Sequence, residues 1–434
     1  MTRKLLTGNA AAAWGARLAK VDYIPAFPIT PQTEIIEDLS IWIDNKKMDA
    51  RMVTLESEHS MITAAGSAAT SGVRVFTSTS SQGLVYGMEM LYTVAGWRTP
   101  FVMVNVSRGL SSPITLESDH NDILAARDTG FLQIHCASCQ EITDSVLMAY
   151  RLAEHEDIRL PAIVNQDGFY LSFTREPVDL PDADKAAAFV GEFDPENLQF
   201  KGSAPLSQAM AVLGGGPYSY FRYEVHLAAQ RALSVYHDIA DEFADTFGRR
   251  YDIIDAYQMD DAEYVFVMMG SFATRAHDAV DSLRNAGWKV GLARLRLFRP
   301  FPGEKIAQLL KGRRAVAVID QNISMGMGGI LHSEVATALS CMKDAPALLA
   351  SYIGGLGGRN ISQQEFFEII NEIKQASDKA EPLPPRLLYT RQELSEIRNL
   401  QAIARAEHME IKQAEKKRNE AGQTETRPAE TGSK

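Results

Sequence analysis

The chain has 434 residues, 45% of them hydrophobic, and carries 44 basic against 55 acidic side chains for a formal net charge of -11. That length and apolar content suffice for two domains with cores of their own, and the acidic balance argues against a broad nucleic-acid-binding face. No apolar run reaches the roughly 18 residues that a membrane span needs, and the segment after Met1 is too short for a secretory signal. A cytoplasmic chain without nucleic-acid or membrane partners is expected.

Residues 1–180 alternate helical and extended patterns. Asn9 to Ala19 is Ala-rich and helical, and Val21 to Phe27 is short and extended. In Thr30-Pro-Gln-Thr-Glu34, Thr30 has the chemistry of an N-cap and Pro31 that of a first helical residue, so a helix is expected to begin at Thr30 and run to Ile43. Its free N–H groups and positive dipole end would make an anion site there. Met52 to Leu55 reads as a strand. Glu56 and Glu58, one residue apart, would share a face on a strand but diverge at a strand–helix junction. The small-residue helix Met61 to Ser71 follows Glu58, and Val73 to Thr77 is a strand. Ser78 to Gly83 is a polar turn, Leu84 to Ala95 a helix, and Pro100 to Val106 a strand ending in Ser107-Arg108-Gly109. Leu110 to Ala125 reads as a polar loop containing Asp119-His120-Asn121-Asp122, a candidate for function. Phe131 to His135, Ile142 to Ala153 and Pro161 to Asn165 complete strand, helix and strand. A mostly parallel sheet covered by helices is expected, with ligands beyond the C-terminal strand ends, where Thr30, Glu58, Ser80 to Gly83 and Arg108 fall.

The three cysteines, Cys136, Cys139 and Cys341, make no disulfide framework. Cys136 and Cys139 are spaced C-x-x-C, but no second pair completes a metal site, and they read as structural. Residues 181–257 form a connector with a Gly214-Gly-Gly-Pro turn and one long amphipathic helix from Tyr223 to Phe247, suited to an interface. Residues 258–377 are a second α/β unit, with strands Tyr264 to Met269, Lys289 to Leu297 and Ala315 to Ile319 and a helix from Thr274 to Ala286. The Gly-rich stretches Asp320 to Gly329 and Ile353 to Arg359 match neither a dinucleotide fingerprint nor a P-loop, and read as tight turns. Residues 378–434 begin at Pro382-Leu-Pro-Pro385 and continue as a charged helix with a thin apolar stripe, expected to dock on another subunit; Lys416 to Lys434 reads as disordered alone.

Several ordered motifs resemble the α subunit of the 2-oxoacid:acceptor (pyruvate:ferredoxin) oxidoreductase family. They are Phe27-Pro-Ile-Thr-Pro-Gln32, Glu56-Ser-Glu-His-Ser60, Phe76 to Leu84, Ser107-Arg-Gly-Leu110, Asp119 to Arg127, Phe298-Arg-Pro-Phe-Pro302, Asp320 to Ser324 and Gly354 to Arg359. The resemblance spans about residues 6 to 375. It implies a pyrimidine-side thiamine diphosphate fold followed by a transketolase C-terminal-like domain. The implied activity is oxidative decarboxylation of a 2-oxoacid to acyl-CoA, with coenzyme A as co-substrate. It further implies a β chain holding the diphosphate and Mg2+, and γ and ferredoxin-like δ subunits, with [4Fe-4S] clusters on the partners passing electrons to ferredoxin. A flavin subunit could route them to NAD. The chain would be inactive alone, and it has neither a Gly-Asp-Gly motif nor a ferredoxin-type cysteine run.

By position, Glu58 matches the family glutamate that bonds the aminopyrimidine nitrogen and promotes proton loss from thiazolium C2. Thr30 and Arg108 match residues that hold the substrate carboxylate and carbonyl. Ser81, Gln82 and Gly83 would approach the cofactor, and Asp119 and His120 would shape the substrate loop. Many relatives have Tyr where this chain has Phe27, which leans toward a less polar pocket and an aromatic 2-oxoacid such as phenylglyoxylate, with pyruvate and 2-oxoglutarate open. Two other readings compete: a non-redox thiamine-dependent decarboxylase subunit, and a structural subunit with a degenerate site, against which the joint presence of Thr30, Glu58 and Arg108 speaks.

Overall fold

A computed structural model describes residues 2–195, 200–208 and 210–424, with side chains to residue 413. In chain order the first region contains β1 (Thr2–Thr7), α1 (Gly8–Leu18), β2 (Tyr23–Ala26), α2 (Thr33–Asp44), β3 (Arg51–Thr54), α3 (Glu58–Thr70), β4 (Phe76–Thr79), α4 (Gln82–Tyr86) and α5 (Met88–Gly96). It continues with β5 (Val102–Ser107), α6 (Asn121–Ala125), β6 (Leu132–His135), α7 (Cys139–Ala153), β7 (Ala162–Asp167), β8 (Arg175–Leu180), α8 (Ala183–Val190) and α9 (Gly215–Phe247). The second contains β9 (Ile254–Tyr257), β10 (Tyr264–Met269), α10 (Ala273–Asn285), β11 (Val290–Leu295), β12 (Leu297–Arg299), α11 (Gly303–Leu310), β13 (Ala315–Asp320), α12 (Ile330–Leu339), β14 (Leu348–Ile353) and α13 (Gln363–Lys379). A separate unit from Leu387 onward holds α14 (Arg391–Thr424).

The first sheet has the order β12-β6-β7-β5-β4, with β6, β7, β5 and β4 parallel and β12 antiparallel at one edge. A parallel β2–β3 pair extends it through a bridge from Tyr23 to Val75. Strand β5 is buried on both faces, which is why Val102 to Val104 is apolar without alternation, while its buried Asn105 and Ser107 are hydrogen-bonded. Val102, Val104 and Val106 join the core under α1 and α7, while Met103 points into the opposite core under α3 and α5. The second sheet runs β14-β13-β10-β11-β9, parallel except for β9.

Buried polar links help to tie the sheets together. Glu141 at the head of α7 meets Arg294 at 2.6 Å and Arg296 at 3.0 Å, all three buried. Asp167, at the end of β7, accepts from the Ser271 amide at 2.7 Å, beside β10. Strand β12 belongs in sequence to the second region and in space to the first sheet, so the chain is stitched rather than merely linked.

Several expectations need correction. The helix begins at Thr33 behind Gln32, not at Thr30, and Gln32 makes no side-chain cap. Tertiary bonds explain this: Asn9 on α1 donates to the Pro31 carbonyl at 2.7 Å, and the Gln32 amide is fixed between the Phe27 carbonyl and Ser78. The helix expected from Leu84 to Ala95 is two helices broken at Gly87, where a Cβ would lie 2.2 Å from Ile62. The loop before Ala125 contains α6. Gly215, Gly216 and Pro217 open the long helix rather than forming a turn before it. That helix buries Val225, Ala228, Ala232, Tyr236, Ile239, Ala240, Phe243 and Phe247 in the first core, so much of its apolar face is used within this chain. Residues 416–424 are helical, and the rest of the segment expected to be disordered lies outside the described residues. Strands β1, β8, β9, β12 and β14 and helices α8, α11, α12 and α13 were not anticipated.

Candidate active site

The C-terminal ends of β2, β3, β4 and β5 open on one side of the first sheet, and the turns after them carry the residues singled out in the sequence. Ser57 caps α3, accepting from the Ser60 amide at 3.2 Å, and Glu58 is the first helical residue. The junction turns the two glutamates apart. Glu56 is exposed and accepts from the Ser60 hydroxyl, whereas Glu58 is buried. Burial raises the Glu58 carboxyl above its ordinary range, because no cation offsets the loss of water.

Gly83 lies directly against this carboxyl. A Cβ there would be 2.4 Å from Glu58 Oε1 and 2.7 Å from Thr79 Oγ1, so any side chain at this position would displace the carboxyl. Around it, Thr79 Oγ1, Ser80 Oγ, Gln82 Nε2 and Arg108 Nε are buried without hydrogen-bond partners. Buried polar atoms are rarely left so; several together beside a buried acid are what a polar heteroaromatic ligand would satisfy. The residues therefore fit an aminopyrimidine.

Arg108 follows β5. Its Nη1 donates to the Thr30 carbonyl at 2.8 Å and its Nη2 to the Gln82 side-chain oxygen. Among the described residues it forms no salt bridge, although it is 7% exposed. Burial without a paired carboxylate lowers its pKa and leaves a cation suited to an incoming anion. Thr30 thus reaches the site through its backbone carbonyl, and the expected helix-terminus anion site is absent from this position. Phe27 is half-buried against the core beneath α3 and α5. The structure brings Thr30, Glu58, Gln82, Gly83 and Arg108 together as four neighbouring turns.

The other two predicted residues lie further in. Asp119 accepts from the Asn121 amide at 3.0 Å and faces Gly109. His120 is 1% exposed, with Nε2 2.7 Å from Asp167. Although burial opposes it, Asp167 raises the histidine pKa, and the histidine in turn holds Asp167 well below the usual range. The pair anchors the 118–122 turn instead of lining an opening. Sequence reading named Asp122 only as the end of the polar Asp119–Asp122 run; its carboxyl group is buried and bonded to Ser107 of β5, to the Ser81 amide before α4 and to its own helix.

Cys136 and Cys139 are buried free thiols, and no described group of His, Cys, Asp and Glu could hold a metal. Burial pushes Cys136 up to about 12.

Comparison with known proteins decides what this arrangement is. Residues 14–242 match a family model described as Pyruvate flavodoxin/ferredoxin oxidoreductase, thiamine diP-bdg, and residues 262–366 one described as Pyruvate:ferredoxin oxidoreductase core domain II. The chain belongs to the pyruvate:ferredoxin oxidoreductase family. It is 42% identical over 380 residues to the pyruvate synthase subunit PorA of Methanocaldococcus jannaschii, covering 86% of this chain and 96% of that one. The Thermotoga maritima subunit of the same name is 39% identical, covering 83% and 92%. The ketoisovalerate oxidoreductase subunit VorA of Pyrococcus horikoshii is 38% identical, covering 86% and 94%. In fold, the chain resembles a solved 2-oxoglutarate:ferredoxin oxidoreductase from Magnetococcus marinus bound to 2-oxoglutarate, coenzyme A and succinyl-CoA. The TM-score is 0.65 at 18% identity, covering 86% of this chain and 65% of that one. The α/β class and the thiamine diphosphate-binding fold expected from the motifs hold, and the chain is a subunit of a 2-oxoacid oxidoreductase. No described helix is long and apolar enough to cross a membrane.

Proposed function

We propose that this chain supplies the aminopyrimidine side of a thiamine diphosphate site and the carboxylate-binding pocket of a CoA-acylating 2-oxoacid:ferredoxin oxidoreductase, with pyruvate as substrate. In the overall reaction a 2-oxoacid and CoA become acyl-CoA, CO2, one proton and two electrons. The observation that carries the reading is Glu58, a buried carboxyl at the head of α3, set against a glycine and ringed by unpartnered polar atoms.

When bound, thiamine diphosphate supplies a nucleophilic carbon and an electron sink for loss of CO2. Glu58 would bond the ring nitrogen, and a carboxyl whose pKa burial has raised would hold a proton there and give it back. Arg108 orients the substrate carboxylate by charge-assisted bonds, with Thr30 and Gln82 fixing the guanidinium. Phe27 contributes an apolar wall. Asp119 and His120 keep the neighbouring turn in place. Pyruvate is favoured because relatives near 40% identity over most of the chain are named pyruvate synthase subunits. The diphosphate with Mg2+, and the [4Fe-4S] clusters that carry electrons to ferredoxin, are assigned to β, γ and δ partner chains, in keeping with the acceptor in the family's name.

A substrate panel on the complex purified from its native source tests the reading. With thiamine diphosphate, CoA and a viologen dye, pyruvate should give CoA-dependent dye reduction faster than 2-oxoglutarate, branched 2-oxoacids or phenylglyoxylate. CO2 release without dye reduction would replace it with a simple decarboxylase. A preference for phenylglyoxylate would shift the substrate and make Phe27 its determinant. Glu58→Gln in the assembled complex should lower turnover about 100-fold or more; unchanged turnover would remove Glu58 from the chemistry.

A further inference from the structure

The turn that carries Gln82 and Gly83 has an unusual backbone. Ser81 sits at φ 48°, ψ -116°, a conformation that L residues with a Cβ rarely adopt, and it is fully buried. Such a residue persists only where its surroundings over-determine it. Here the Ser81 amide donates to Asp122 Oδ2 at 3.0 Å and its hydroxyl to the Gly109 carbonyl at 3.1 Å.

Asp122 does more than hold Ser81. The same Oδ2 accepts from Asn105 Nδ2 at 3.1 Å and the Arg108 amide at 3.4 Å, while Oδ1 accepts from the Ser107 hydroxyl at 2.8 Å and the Ile123 amide at 2.7 Å. One side chain with no exposed surface thus grips the turn after β4 and the end of β5. Those two segments carry Gln82 and Arg108, whose side chains bond each other. Burial pushes the Asp122 carboxyl above its ordinary range, while the bonds from Asn105 and Ser107 pull it back. A buried acceptor that takes several donors at once is a stiff joint, because none of its bonds can be exchanged for water.

We propose that Asp122 is a positioning residue: its buried carboxylate locks the Ser80–Gly83 turn against the end of β5 and so sets the Arg108–Gln82 pair for the substrate. It touches neither substrate nor cofactor. The inference rests on the substrate role given above to Arg108, and it also stands on geometry that is independent of that role.

The test uses Asp122→Asn in the complete complex, which keeps the side-chain volume and turns one of the two accepting oxygens into a donor. Hydrogen exchange of the segments 78–86 and 105–110 should accelerate about tenfold or more, with other segments unchanged. The apparent KM for pyruvate should rise about tenfold, with kcat within threefold. Arg108→Lys should also raise KM, and the double variant should be no worse than the more impaired single variant. Unchanged exchange in both segments would overturn the inference, as would KM effects that multiply in the double variant. If Arg108→Lys leaves KM unaltered, the substrate role of Arg108 falls, and the exchange measurement still judges Asp122. Should Asp122→Asn fail to assemble, Ser107→Ala removes one donor while keeping the carboxylate. A severalfold rise in exchange confined to the same two segments supports the inference, and no rise overturns it.

Discussion

At the scale of single residues, the site depends on what is missing as much as on what is present. Gly83 is needed because Glu58 occupies the space where a side chain would begin. Gly83→Ala should therefore push the carboxyl aside and lower turnover of the complex about 100-fold, approaching the loss in Glu58→Gln; steady-state rates with pyruvate read this, and wild-type rates would mean the carboxyl is not confined. Thiols give a second residue-scale expectation. Cys136 and Cys139 are buried with raised pKa values, and Cys341 is exposed. At pH 8 a disulfide reagent should label Cys341 alone in the native chain and all three cysteines after denaturation. Fast native labelling of Cys136 would place it in a reactive role.

At the scale of elements, the head of α7 joins the two sheets through Glu141. Burial by itself would raise this carboxyl, but Arg294 and Arg296 overcome it and hold the pKa to about 2, from an ordinary 4.5. Glu141→Gln would leave two buried guanidinium groups short of a counter-charge, although Arg294 keeps Asp255 at 3.0 Å. The expected cost is about 3–5 kcal/mol, read as a lower denaturant midpoint at pH 7. Since the folded pKa is depressed, the stability that Glu141 adds is complete above about pH 4.5 and disappears as pH falls through about 2. Wild type should lose more stability across that interval than Glu141→Gln does. Equal losses would show that the pairing contributes nothing.

At the scale of the whole molecule, residues to Arg386 form one compact unit, and α14 belongs to a second. Alignment with the Methanocaldococcus relative covers 86% of this chain and 96% of that protein. Deleting residues 391–434 should leave the thermal midpoint of the remaining chain within about 2 °C of its original value, because a polar helix with Leu400, Ile403 and Ile411 exposed adds little core. Calorimetry on the two chains decides it. A large drop would make the helix part of the main body.

Much of this architecture was written in local patterns. The run Tyr264 to Met269 read as a buried strand, the alternation through residue 165 pointed to a mostly parallel sheet, and the small-residue run from Met61 put Glu58 at or just before a helix start. Thr30 misled for a physical reason: its local chemistry favours a cap, but the carbonyl and amide groups of residues 31 and 32 are claimed by Asn9, Phe27 and Ser78, contacts between 5 and 46 residues away in sequence. Asp122 and Asp167 were illegible alone, since a carboxylate gains its meaning from donors on other strands. Sequence by itself determined the family and most of the elements up to residue 165, and it pointed to candidate side chains. Only the tertiary structure decided which are buried, which are paired, and which turns they hold, because burial and charge pairing arise between segments that no local window contains.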